Sequence, residues 1–155
     1  MSPVLFVDLY VFRGRAESLE VLLLRRARGQ ARPGSWEAVH GRVEDGESVV
    51  AAAVRELLEE TGCHARVIYN LSRVEQFYLH ATAQLATVPV FAAFVADDTV
   101  VQLSAEHDTH LWLSPADARE RFSWPRAVRA LDDALRLIGD GHASVLEDVL
   151  RVHPA

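Results

Sequence analysis

The spacing of hydrophobic residues changes along this chain, and each change predicts an element. Residues 4–12 and 19–24 are dense in β-branched, aromatic and leucine side chains; the turn signal Arg13-Gly14-Arg15 separates them, which predicts two paired strands. Residues 29–35 hold Gly, Pro and Gly with little apolar content and read as a loop, and 36–43 as a short extended piece ending at the tight turn Asp45-Gly46. From 48 to 61 the spacing becomes helical. Val50, Val54, Leu57 and Thr61 fall on one stripe, and Gly62 stands where a C-cap is wanted. Residues 67–78 and 85–95 return to strand character, apolar enough for the middle of a sheet, and 110–113 make a further short strand. Pro89 has no amide hydrogen to give a neighbouring strand, so it predicts a strand start, an edge or a bulge. Ser114-Pro115 and Ser123-Trp124-Pro125 are helix starts, 127–138 is helical up to the Gly139-Asp140-Gly141 break, and a last helix is expected over 143–152. Strands, a helix, more strands and terminal helices predict an α/β sandwich with a mixed sheet. No linker divides the chain, so 1–155 is expected to be a single domain.

Composition narrows the class. Of 155 residues half are hydrophobic and 25% charged, sufficient for a core without disulfides or a structural metal. The formal charge of -6 argues against a grip on a nucleic-acid backbone, which needs a basic surface that displaces counterions. A small anionic substrate stays admissible where a cation supplies the positive charge. Cys63 is the single cysteine and has no internal disulfide partner, and Met1 runs into Pro3 and strand-like residues instead of a basic and then apolar leader; the cytoplasm is the expected compartment. Apolar runs such as 21–24 and 88–95 are too short to span a bilayer as a helix, so no membrane partner is expected.

The helix over 48–61 carries the candidate chemistry. At 100 degrees per residue, Glu60 lies roughly 40 degrees to one side of Glu56 and Glu59 roughly 60 degrees to the other, so three carboxylates crowd one face. The stripe of Val50, Val54 and Leu57 points elsewhere, and the turn before the acids offers only Ala52 and Val49. A solvated acidic face with an Arg55 to Glu59 pair is the plainest account of such a run. Yet Glu56 and Glu60 are like charges four apart, which costs a few tenths of a kcal/mol, and neither has a basic residue four positions away on this helix. A hard divalent cation reverses that penalty, since such ions prefer carboxylate oxygen and bridge to phosphates.

The wider spacing identifies the arrangement. Gly41, five residues, Glu47, seven residues, Arg55-Glu56-Leu57, one residue, Glu59-Glu60, one residue, then Gly62-Cys63 resembles the Nudix box over all of its 23 positions. Cys63 departs from the larger aliphatic residue usual there, and a buried thiol is still a small hydrophobe. The resemblance implies the Nudix fold, an α/β/α sandwich with a mixed sheet and a catalytic loop-helix-loop. It implies divalent cations, Mg2+ first with Mn2+ as substitute, held by Glu56, Glu59 and Glu60 and by the backbone carbonyl of His40. It makes Gly41, Glu47, Arg55 and Gly62 structural supports, with Glu47 and Arg55 paired. The activity implied is attack of water on a diphosphate bond, with a carboxylate taking the proton; no nucleophilic side chain is required.

Outside the box, Trp36-Glu37-Ala38-Val39-His40-Gly41, the run from Tyr69 to Tyr78, Pro89-Val90-Phe91 and Glu106-His107 followed by Leu111-Trp112-Leu113 are similar to the dATP and dihydroneopterin triphosphate pyrophosphohydrolase branch. In that branch the Glu at the position of Glu106 reaches the metal, which makes Glu106 a further ligand or base; His107 is either a substrate contact or a surface or satisfied partner. Phe77 and Tyr78, and Trp36 with them, are candidates to stack on a base or pterin ring, although Trp36 is equally a packing residue. Arg25, Arg26 and Arg73 are the candidates to meet phosphate, and Trp112 and Trp124 are expected to pack the core and a helix entry. The implied substrate is a (deoxy)nucleoside triphosphate, dATP-like or a pterin triphosphate, cut to monophosphate and pyrophosphate. Dinucleoside polyphosphates or ADP-ribose-type compounds are the enzymatic alternative, and a nucleotide-binding module without catalysis is the non-enzymatic one. A homodimer is left open.

Overall fold

The structure is a computed structural model and describes residues 3–154. Its strands are β1 (Val4–Arg13), β2 (Glu20–Arg26), β3 (Trp36–Glu37), β4 (Val39–Arg42), β5 (Val67–Leu79), β6 (Gln84–Phe94), β7 (His107–Leu113) and β8 (Arg151–His153). The helices are α1 (Val49–Thr61), α2 (Pro115–Arg121), α3 (Pro125–Ile138) and the single turn α4 (Glu147–Leu150). One mixed sheet runs β3-β2-β1-β6-β5-β8, with β4 also against β1 and β7 also against β2. β1 and β6 are parallel, and the other pairings are antiparallel.

β1 explains why the sheet needs cover on both sides. Val7, Leu9 and Val11 point into a core closed by Ala52, Ala53 and Leu57 of α1, while Tyr10 and Phe12 point into a second core closed by Ala118, Phe122, Ala127, Ala130 and Leu131 of the α2–α3 side. β2 and β6 divide in the same way, as strands buried on both faces must. Each fully buried Leu or Phe here contributes roughly 1.5–3 kcal/mol. This is the α/β/α sandwich the sequence implied. Because alternation is strict, Asp8 falls on the same face as Tyr10 and Phe12, toward α3.

Several local expectations need revision. The 4–12 and 19–24 strands do pair, but only through Phe12 opposite Val21 and Arg13 opposite Glu20; the N-terminal part of β1 turns to β4, and β2 lies mainly on β7. Pro89 is neither at a strand start nor at an edge, since β6 lies between β1 and β5. The irregularity is on β5, where register shifts between Asn70 and Arg73 and Ser72 takes a φ of 56°. The final helix stops at Leu150, and Arg151–His153 pairs with Ile68 and Tyr69 instead, because Val152 then packs on the α1-side core. On α1 the buried residues are Ala52, Ala53, Leu57, Glu60 and Thr61, so the inward sector is displaced from the Val50–Val54 stripe and contains an acid. Ser48 caps its start by accepting the amide of Ala51 at 3.1 Å, and Gly62 ends it at φ 70°, the C-cap that the sequence predicted. Cys63 is buried in the α1-side core, which pushes its thiol pKa up.

Candidate active site

The site begins with how α1 is held against β4. Arg55 donates from Nε to Glu47 at 2.7 Å and from Nη2 to the same carboxylate at 2.9 Å. Its remaining reach goes to Glu56 at 2.7 Å, Glu59 at 3.2 Å and the carbonyl of Arg42 at 3.0 Å. One guanidinium thus ties the loop before the helix, the strand before that loop and two of the three acids together. The pairing with Arg55, then the backbone amide of Glu44, brings Glu47 down to about 2. Gly41 has its own reason. A Cβ there would occupy the volume of the Glu56 carboxylate, so only glycine lets that acid lie under β4.

The three acids are not equivalent. Glu59 is 57% exposed, Glu56 is half-buried, and Glu60 is 2% exposed. Glu60 accepts the backbone N–H of His40 at 3.3 Å, which is the one amide turned toward it. Burial, then the neighbouring charges of Glu56 and Glu106, pushes its pKa well above the ordinary 4.5. Glu56 is also raised, by burial first and by Glu59, against the opposing pull of Arg55. Glu106 closes the centre from the loop before β7, with its carboxylate 3.5 Å from Arg26 Nη1. One donor atom each from Glu60, Glu106 and His107 lies within 4.8 Å of the other two. Partly compensated carboxylates meeting in this way are a donor set suited to divalent cations.

His107 is neither the surface residue nor the satisfied partner that the sequence offered as the alternative to a substrate contact. Its side chain is fully buried, so it is no surface residue, and neither ring nitrogen has a hydrogen-bond partner, so it is not satisfied. Nδ1 faces Glu60 at 3.7 Å and Nε2 faces Glu37 at 3.6 Å.

Beside this centre lies a cavity of about 520 Å³ lined by Phe6, His40, Phe77, Trp124 and Arg126, with Tyr78 at its rim. Phe6 stacks on His40 with centroids 4.9 Å apart and on Phe77 at 6.2 Å, and Arg126 lies over Phe77 at 5.1 Å and over Trp124 at 5.4 Å. Beneath them Asp8 is held between His40 Nδ1 at 2.6 Å and Arg126 Nε at 2.8 Å. Burial alone would raise the Asp8 pKa, but His40 and then Arg126 outweigh it and the net direction is down. Arg129 pairs with Glu75 on the same wall at 2.8 Å.

The box residues, the His40 backbone, Glu106, Phe77 and Tyr78 therefore converge. Arg73 does not join them: its guanidinium is bound to Asp133 of α3. Arg25 pairs with Asp108 at 2.8 Å, and with Arg26 and Trp36 it borders a separate recess of about 480 Å³. Trp112 packs on the α1-side core and Trp124 sits at the entry of α3, as expected, but Trp124 also lines the cavity. Phe6, Asp8, Glu37 and Arg126 are site residues that sequence reasoning missed. Asp8 left one signal, a lone acid inside the apolar 4–12 run.

The chain belongs to the NUDIX domain family, which matches residues 4–133. It is 39% identical over 126 residues to an octanoyltransferase of Myxococcus xanthus, covering 77% of this chain and 33% of that protein. The first three curated relatives are all much longer, and this chain spans 33%, 17% and 18% of them. Among solved structures, a Caenorhabditis elegans Ap4A hydrolase in a binary complex superposes with a TM-score of 0.70 at 26% identity, over 84% of this chain and 93% of that one. The Escherichia coli dihydroneopterin triphosphate pyrophosphohydrolase, at 20% identity and a TM-score of 0.69 over 83% and 92% of the two chains, shares the fold. Among the described residues no helix is long and apolar enough to cross a membrane.

Proposed function

We propose that this protein is a divalent-cation-dependent pyrophosphohydrolase that cuts a nucleoside triphosphate or closely similar triphosphate to a monophosphate and pyrophosphate. The observation that carries the reading is the double position of His40. Its ring lines the aromatic cavity and its backbone amide meets Glu60, so a planar base among Phe6, Phe77 and Trp124 would lead its phosphates over Gly41 to the acids. Aromatic walls suit a heteroaromatic ring, and Arg126 over two of them adds a cation beside it.

Glu56, Glu59 and Glu60, with the carbonyl of His40, would hold the cation. When bound, it supplies charge neutralisation on the diphosphate oxygens and a lowered pKa for the attacking water. Arg55 keeps Glu56 and Glu59 oriented. Glu106, half-exposed and held only at 3.5 Å by Arg26, is the carboxylate placed to take the water proton or to hold a second ion. Arg25 and Arg26 are proposed as phosphate contacts from the neighbouring recess. Arg73 serves this reading less well than Arg126, because Arg126 lines the cavity whereas Arg73 is tied to Asp133 of α3 outside it.

A second reading, cleavage of a dinucleoside polyphosphate, is favoured by the likeness to the Ap4A hydrolase and by the recess around Trp36, Arg25 and Arg26, which offers a second aromatic and basic surface beyond Glu106. A panel of nucleoside triphosphates, pterin triphosphate, dinucleoside polyphosphates and ADP-ribose, with products resolved by chromatography, separates the two. Pyrophosphate plus a monophosphate supports the first; two nucleotide products support the second. No turnover of any member with Mg2+ or Mn2+ would leave a binding module.

A further inference from the structure

Beside the carboxylates of the box stands a buried imidazole with nothing bonded to either nitrogen. A buried polar group without a partner is costly, so an orphan of this kind points to a partner that the polypeptide does not supply. Its surroundings are directional. Nε2 faces Oε1 of Glu37 at 3.6 Å, and Glu37 is bracketed by Arg26 at 3.7 Å, Arg32 at 3.8 Å and the indole N–H of Trp124 at 3.5 Å. With Glu37 on the Nε2 side of the ring, Nδ1 is the nitrogen turned to Glu60, at 3.7 Å. Carboxylate, histidine and open nitrogen in that order are the arrangement by which proteins orient a metal-ligating histidine.

We infer that His107 is a nitrogen ligand in a cation site made with Glu60 and Glu106, a site that shares Glu60 with the all-oxygen box and favours borderline transition-metal ions over magnesium. The three donor atoms lie within 4.8 Å of one another, so a small inward shift of the half-exposed Glu106 carboxylate would let one ion at about 2.0–2.2 Å reach all three. Magnesium prefers oxygen and keeps its waters. An imidazole donor adds little for it and progressively more from Mn2+ to Co2+. The β2–β7 pairing explains how His107 comes to face the acids: register shifts between Arg25 and Arg26, opposite the start of β7, and such a bulge re-aims a side chain.

The inference rests on the proposed cation dependence but is tested by binding, without substrate. The full chain is loaded with Mn2+ and examined by electron spin echo envelope modulation, first unlabelled and then with 15N-histidine. A nitrogen-14 modulation that histidine labelling replaces is expected; a Mn2+ spectrum with oxygen and water ligands alone overturns the site and leaves the hydrolase reading standing. Absence of any protein-bound Mn2+ overturns it too. His107→Gln should abolish the modulation and weaken Co2+ by at least about tenfold while leaving Mg2+ nearly unchanged, the scale on which even indirect metal partners act. His40→Gln should retain the modulation, and its loss there would assign the nitrogen to His40 instead. The labelled wild-type measurement decides the question even where a variant does not fold.

Discussion

The acid centre and the aromatic cavity meet at His40, and they treat charge in opposite ways. In the cavity wall the charges are matched: Asp8 sits between His40 and Arg126, and Glu75 is paired with Arg129. In the acid centre Arg55 serves Glu47, Glu56 and Glu59 at once, Glu60 meets the backbone amide of His40 and the carboxyl of Glu56, and among the described residues nothing is hydrogen-bonded to the His107 ring. The pKa directions record the same contrast. Asp8 is lowered despite deep burial, whereas Glu56 and Glu60 are raised. A region whose charges are internally balanced holds a shape for a neutral ring. A region left short of positive charge is stable in that form only when something cationic arrives.

The sharpest way to break this contrast is to neutralise an acid. Glu59→Gln and Glu60→Gln should each lower turnover about a thousandfold, about 4 kcal/mol of barrier, with an unchanged circular dichroism spectrum. Without cation, Glu60→Gln should melt higher than wild type because a buried carboxylate has been relieved. Near-wild-type turnover in both variants would end the comparison. In the balanced region the reverse holds: Asp8→Ala strands the Arg126 guanidinium and should cost about 3 kcal/mol in chemical denaturation. A loss under 1 kcal/mol would mean that the pair does not hold the wall.

Glu106→Gln should cut the turnover number tenfold or more with little change in KM, since the lost interaction belongs to the transition state. Retention of more than about a third of wild-type turnover, under 1 kcal/mol of barrier, would strike Glu106 from the site. Arg55→Ala should lower the melting temperature and the activity together by releasing Glu47, and an unchanged melting temperature would make Arg55 a substrate contact. The smallest effect is on pH. Glu60 keeps its proton to higher pH when folded than when unfolded, so the cation-free protein should lose stability as pH rises from about 4.5 toward the raised folded value. Asp8 acts the other way, contributing stability above its ordinary 3.8 that is lost as pH falls through its lowered folded value. Melting curves from pH 2 to 8 should show the first slope flattened by Mg2+ and the second unaffected; identical curves with and without cation would contradict the contrast.

How far each region was legible follows from how its residues are joined. Gly41, Glu47, Arg55, Glu56, Glu59, Glu60 and Gly62 lie on a loop and one helix, where spacing along the chain is spacing in space, so the acid face and the glycine cap could be read directly, and the Glu47–Arg55 pair followed from the family resemblance. What that spacing did not reveal is which side of α1 turns inward. The Val50–Val54 stripe suggested one sector, but Ala52 and Ala53 allow β1 and β4 to approach more closely, and Glu60 is buried with them.

Chain order determined the sandwich, the box and its caps, because each depends on neighbours a few residues apart. The cavity and the surroundings of His107 were decided by the tertiary structure alone. Asp8 and Arg126 are 118 positions apart, and His107 meets Glu37 and Glu60 from a strand whose direction in the sheet is set by its pairing with β2. In a strand a shift of one residue sends every side chain to the opposite face, and only the register of the assembled sheet chooses between the two.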